Sequence, residues 1–280
     1  MREILCSGQA RSLEFPYPGG MAALCWSPAG ERGELTVSLH YDGAYGMGEK
    51  YNAVNQKGHT AVNEVEEKFC FQGEKTYCPA PFFWTNTGFG LYAATDERTS
   101  FRFGEKAVCA ELPVDCRVVL FSGMPGEIIR DYMDLFGPAK LPPKWAFGPW
   151  ISANHWDSQE KVERAVAQAE EHGFPVCALV AEAWSDEATF YVFRGARYVP
   201  KPNGGAFRLE DFDFSDSPWP DPAGMVQRLH EKGIRFLLWQ IPVYKKQGPD
   251  EPLNAQNELD QADAVARGLC VHNADGSPYT

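Results

Sequence analysis

The sequence predicts two architectures in tandem: a β-sandwich over residues 1–140 and a stretch of parallel α/β structure over residues 141–280. Three observations predict this. Short runs of strand-forming residues, separated by turn residues at regular spacing, fill the first half. From Trp145 onward, apolar runs alternate with amphipathic stretches in the order strand, helix, strand, helix, strand, which is the order of successive βαβ units. Between the two halves, Gly137, Pro138, Pro142 and Pro143 interrupt regular structure and mark a boundary.

In the first half, Glu34–His40 alternates apolar and polar residues, the pattern of a half-buried strand. Ala80–Thr85 and Gly88–Ala94 flank the turn residues Asn86, Thr87 and Gly88 and read as a hairpin. Ser100–Phe103, Ala107–Leu112 and Asp115–Phe121 are further strands. Gly126–Phe136 reads as a short helix with Ile128, Ile129, Tyr132 and Leu135 on one side.

In the second half, Trp145–Ser152 is an apolar run predicted as a strand. Ser158 is a suitable N-cap for a helix carrying Val162, Ala165, Val166 and Ala169 on one face and closed by Gly173. Val176–Ala181 then reads as a covered strand that ends in Glu182, Ala183 and Trp184. The connection 185–218 is long enough to be a lid or a pocket wall. Trp219–Tyr244 forms a complete helix-to-strand unit. Asp221 caps it, Pro222 takes the first helical position, and Met225, Val226 and Leu229 share a face. Gly233 stops the helix, and Ile234–Ile241 follows as a strand expected to be covered on both faces and ended by Pro242. Trp239 and Gln240 fall at its carboxyl end, where parallel α/β sheets hold their ligands.

A formal charge of −12 argues against nucleic acid and anionic membrane as partners, and no apolar run is long enough to span a bilayer. No apolar run follows a basic start, so a cytoplasmic location is expected. Eight cysteines lack CxxC pairing: Cys6, Cys25, Cys70, Cys78, Cys109, Cys116, Cys177 and Cys270. Cys70/Cys78 and Cys109/Cys116 are spaced to bridge hairpins, but free buried thiols are the expectation. No His/Cys cluster has metal spacing, no glycine-rich phosphate loop follows a strand, and no Gly-x-Ser-x-Gly elbow occurs; neither cofactor nor metal is expected.

Four stretches, in this order, resemble glycoside hydrolase family 31, the α-glucosidases and α-xylosidases: Tyr45–Gly58 (YGMGEKYNAVNQKG), Pro81–Gly90 (PFFWTNTGFG), Leu141–Trp150 (LPPKWAFGPW), and Trp219–Met225 (WPDPAGM) running on to Leu238–Pro242 (LWQIP). The resemblance implies a β-sandwich followed by a (β/α)8 TIM barrel, of which residues 141–280 would supply about three strands. It also implies retaining hydrolysis of terminal α-linked sugars through two carboxyl groups roughly 5 Å apart. In such enzymes the nucleophile is an aspartate closing the fourth barrel strand and the acid comes later. Both are therefore expected downstream of residue 280, no catalytic residue is assigned here, and the chain alone is expected to be inactive. Three parallel strands cannot close a barrel, so uncovered edges and self-association through them are expected.

Carried over position by position, the resemblance assigns substrate contact to Glu182, Trp184, Trp239 and His155. Glu182 stands where the family usually has an aspartate binding sugar hydroxyls, Trp239 matches a pocket-wall tryptophan, and His155 replaces an aromatic residue. Asn63 and Glu64 mark a sandwich loop that reaches the barrel mouth in relatives. Asp186 and Glu187 read as a solvated acidic turn in preference to a catalytic pair with Glu182. The expected partner is an α-linked oligosaccharide or glycoside; the alternative is a non-catalytic carbohydrate-binding or structural fragment.

Overall fold

Alternation is clearest in the strand Arg32–Ser38: Leu35 and Val37 are buried, Thr36 between them is half-buried, and Glu34 and Ser38 on either side face out. The computed structural model describes residues 1–66, 72–73, 75–201, 204–246, 248–251 and 253–279. Cys70, and with it the Cys70/Cys78 pairing, lies outside the described residues. The chain divides into two compact units, Met1–Lys140 and Leu141–Thr280.

The first unit holds β1 (Arg2–Cys6), β2 (Arg11–Tyr17), β3 (Gly20–Ala29), β4 (Arg32–Ser38), β5 (Ala44–Gly48), β6 (Thr60–Asn63), β7 (Pro79–Thr85), β8 (Phe89–Ala94), β9 (Thr99–Phe103), β10 (Ala107–Pro113) and β11 (Cys116–Ser122). They form two antiparallel sheets, in the orders β1-β11-β8-β7-β5 and β2-β3-β4-β10-β9-β6. Their inner faces share one core, with Phe83, Leu91 and Val118 from the first sheet against Leu24, Val37 and Phe101 from the second. The expected hairpin is the β7–β8 pair, with Phe83 opposite Leu91.

Helix α1 (Pro125–Asp134) covers the outer face of the five-stranded sheet, burying Ile128 against Phe82, Val119 and Phe121. Tyr132 stacks on Phe82 with ring centroids 3.8 Å apart. Ile129 and Leu135, expected on the same buried side, are instead more than a third exposed. The sheet is wide enough to cover one ridge of the helix, and Ile128 and Tyr132 occupy it. Cys109 and Cys116 are unpaired, because β10 and β11 belong to different sheets.

The second unit holds β12 (Trp150–Ala153), α2 (Gln159–Glu171), β13 (Ala178–Ala181), α3 (Pro222–Glu231), β14 (Arg235–Leu238) and α4 (Asn254–Ala266). The strands form one parallel sheet in the order β12-β13-β14. Ser158 caps α2 by accepting from Lys161 N, and Asp221 caps α3 by accepting from Gly224 N. Val162 and Val166 on α2 pack with Met225 and Leu229 on α3 over Leu179 and Ala181, the Val, Met and Leu side chains each contributing roughly 1.5–3 kcal/mol of apolar burial.

Three expectations need correction. The strand predicted over Trp145–Ser152 spans only Trp150–Ala153; Lys144–Phe147 is a single 3-10 turn, and Pro149, which has no N–H for a ladder, separates the two. The strand predicted over Ile234–Ile241 ends at Leu238, and β14 is half-buried at best, because it is an edge of the sheet among the described residues. Of the two strands expected to be covered, only central β13 has that buried character. α4, for its part, was not anticipated.

A positive-φ run, Gly46, Met47 and Gly48, sits where the β5–β7 register shifts. A Cβ on Gly48 would lie 2.1 Å from the Cys78 carbonyl oxygen, whereas one on Gly58, also at positive φ, meets open space. Gly48→Ala is therefore expected to destabilise the first unit by roughly 3 kcal/mol or more, against about 1 kcal/mol for Gly58→Ala. Urea unfolding midpoints measure the difference; equal losses would show that backbone crowding at Gly48 is not the constraint.

Candidate functional site

Parallel register places Ala153, Ala181 and Leu238 on one level across the sheet. Ile151, Leu179 and Phe236, and next Ala181 and Leu238, turn toward α2 and α3. Alternation therefore sends Ser152 and Glu182 to the face away from the helices. There the Ser152 hydroxyl donates to the Glu182 carboxylate and, at 3.3 Å, contacts the Val180 carbonyl. Glu182 is half-buried.

One residue past β14, the Trp239 N–H donates to the Ala181 carbonyl at 3.0 Å. The register thus brings Glu182 and Trp239 to the carboxyl ends of adjoining strands, and the Trp239 side chain is 54% exposed. His155 follows β12 and is exposed, its ring 6.2 Å from that of Trp156. Trp184 is only 2% exposed. Its indole N–H donates to the Trp239 carbonyl at 2.6 Å, and its ring meets Phe193 edge-on. Trp184 therefore braces Trp239 from the core side.

Polar contacts and aromatic packing both hold the described residues of the connection 185–218. Asp186 accepts from the backbone N–H groups of Ala188 and Thr189 at 2.7 and 2.9 Å and from the Tyr198 hydroxyl at 2.9 Å. Its carboxylate thus closes a turn, and Glu187 is exposed. Burial, reinforced by the hydrogen bond to Asp186, pushes the Tyr198 phenol well above its usual range. Burial and a hydrogen bond to Asp260 do the same for Tyr191.

Helix α4 supplies the rest of the scaffold: Gln256 accepts from Lys201 N at 2.6 Å, and Asp260 accepts from Phe207 N at 2.8 Å. A cavity of about 420 Å³ opens on this connection, lined by Arg197, Tyr198, Val199, Lys201, Asp211 and Asp213. Its charges are already paired, Arg197 with Asp213 and Lys201 with Asp211, both at 2.6 Å. Hydrogen bonds from Ser215, and then from Arg197, hold the Asp213 carboxyl down to about 2. None of Glu182, Trp184, Trp239 and His155 lines it.

Asn63 lies buried at the end of β6, where its side-chain amide donates to Thr99 Oγ at 3.2 Å; Glu64 pairs with Arg98. Ser152 was missing from the sequence-based assignments. A serine within an apolar run carries no signal until the strand register sets it beside Glu182. Among the described residues, no cluster of His, Cys, Asp and Glu is arranged to hold a metal ion, and no helix is long and apolar enough to cross a membrane.

Residues 139–280 match the glycosyl hydrolases family 31 TIM-barrel domain. The chain is 33% identical over 272 residues to the 1,3-alpha-isomaltosidase of Kribbella flavida, an overlap covering 93% of this chain and 37% of that protein. It is 32% identical over 246 residues to the isomaltosyltransferase of Sporosarcina globispora, covering 84% and 22%. Among solved structures, the cycloalternan-degrading enzyme from Trueperella pyogenes in complex with a covalent intermediate superposes with a TM-score of 0.77 at 33% identity, over 96% of this chain and 40% of that one. The chain thus spans well under half the length of each of these proteins. With more than half of its residues inside the family match, the chain belongs to glycoside hydrolase family 31.

Proposed function

We propose that these 280 residues are the N-terminal part of a retaining α-glycoside hydrolase acting on oligosaccharides that end in α-linked glucose, isomaltosyl units above all. The observation that carries the reading is the placement of Glu182 and Trp239 at the carboxyl ends of adjoining parallel strands. A half-buried carboxylate at a strand end needs hydrogen-bond donors. Ser152 supplies one, and vicinal sugar hydroxyls would supply more. The exposed indole of Trp239 offers an apolar face for the C–H surface of a pyranose. Trp184 acts through Trp239, and His155 borders the same end from β12.

In this reading the sandwich leads into the first three strands of an eight-stranded barrel, and Ser152, Glu182 and Trp239 form one wall of its mouth. In the same reading, the bond-breaking pair of carboxyl groups, about 5 Å apart in a retaining enzyme, is supplied by residues beyond these 280. Support for the isomaltosyl preference comes from the names of the two relatives, an isomaltosidase and an isomaltosyltransferase. Support for retention comes from the solved relative captured as a covalent intermediate.

Two measurements test this. The purified 280-residue chain, given a nitrophenyl α-glucoside or isomaltose, should release no product; turnover at an enzymatic rate would place a complete carboxyl pair within these residues and overturn the reading. In a protein that carries the remaining strands, Trp239→Ala and Glu182→Gln should each raise KM for isomaltosyl substrates about tenfold or more, the cost of a lost stacking face or charged hydrogen bond. A KM unchanged by both would take them out of the pocket.

A further inference from the structure

We propose that Cys6 and Cys116 are a dithiol that closes to a reversible disulfide and locks edge strand β1 onto the sandwich. The two residues stand directly opposite each other in the antiparallel β1–β11 register. Directly opposed residues of such a pair point to the same face, with Cα atoms about 4.5–5.5 Å apart, within the span a disulfide bridges. Both side chains lie in the same core, 0% and 4% exposed, and both are free thiols. The spacing in sequence suggests Cys109 as the partner of Cys116, but the fold puts those two in different sheets.

The surroundings set how the pair reacts. β1 is an edge strand whose one ladder partner among the described residues is β11, with Arg2, Glu3 and Leu5 facing solvent. Burial, and then the neighbouring Cys116, pushes Cys6 up to about 12; burial, and then the charge of Glu97, pushes Cys116 up to about 11. In the closed sheet both are therefore protonated and inert. Local opening of the edge strand exposes Cys6 first.

The oxidant is a small-molecule disulfide. The Cys6 thiolate attacks one of its sulfurs, forming a mixed disulfide and releasing one small thiol. The Cys116 thiolate then attacks the Cys6 sulfur and releases the second. Two protein thiols are oxidised, one small disulfide is reduced to two thiols, and the protons lost by the cysteines end on them. The closed loop takes in β2 to β10, so the bond restricts most of the unfolded first unit.

The test uses the full chain in native buffer with oxidised glutathione, followed by non-reducing peptide mapping and thermal melting. The expected result is a Cys6–Cys116 cross-linked peptide, reversed by dithiothreitol, with the oxidised protein melting roughly 5–10 °C higher. Cys6→Ala and Cys116→Ala should each abolish both changes. Should either variant fail to fold, the wild-type peptide map decides alone. The proposal is overturned if, at equilibrium, Cys6 and Cys116 remain free thiols while exposed Cys25 and Cys78 carry glutathione, or if either bonds to a different cysteine.

Discussion

The hydrogen bond from Trp239 N–H to the Ala181 carbonyl is the constraint on which the candidate site depends. It extends the β13–β14 ladder one step beyond the last paired residues, Ala181 and Leu238, and so fixes the level at which the two chains leave the sheet. Side chains alternate along a strand, so a slip of one residue would turn Glu182 into the helix-packed layer and bring a core residue out. The apolar contacts of Leu179, Ala181, Phe236 and Leu238 with α2 and α3 forbid that slip. Packing on one face of the sheet thus determines which polar groups occupy the other.

Glu182 shows how that coupling works in detail. A carboxylate at the end of a buried strand is costly unless donors surround it. The Ser152 hydroxyl reaches it from the neighbouring strand because the β12–β13 register pairs Ser152 with Val180, two residues short of Glu182 on the same face. Trp184 applies the same logic to the backbone: its buried indole N–H needs an acceptor, and the Trp239 carbonyl is the one it finds. A core tryptophan is thereby tied to the carbonyl of an exposed one.

How much of this was legible in the sequence depended on how local the controlling interaction is. The caps of α2 and α3 were readable because Ser158 and Asp221 act on N–H groups three residues away. The sandwich strands were readable because alternation is written into a few consecutive residues. Strand length in the parallel sheet was not, since whether Trp145 or Ile241 joins a ladder depends on Pro149 and on which strands lie alongside. Trp184 is ambiguous for a related reason: an aromatic residue at a strand end reads equally as pocket or core until Phe193 and Trp219 are known to enclose it. α4 was invisible because the face it buries is mostly polar, Gln256, Asn257 and Asp260 with only the small Ala264 beside them, and its N-cap, Leu253, makes no side-chain cap. Neither apolar periodicity nor a cap signal marks such a helix.

That polar face has a reason. A connection as long as 185–218 packed against a core carries backbone groups that need partners, and a helix presenting leucines could not supply them. Gln256 takes the Lys201 N–H and donates to the Gly205 carbonyl, while Asp260 takes the Phe207 N–H and the Tyr191 hydroxyl. α4 therefore orders the connection as a ladder partner would, but through side chains. A segment held in this way keeps an irregular backbone while losing the freedom of a loose loop. The buried glutamine and aspartate of α4 are thus part of the architecture of the connection.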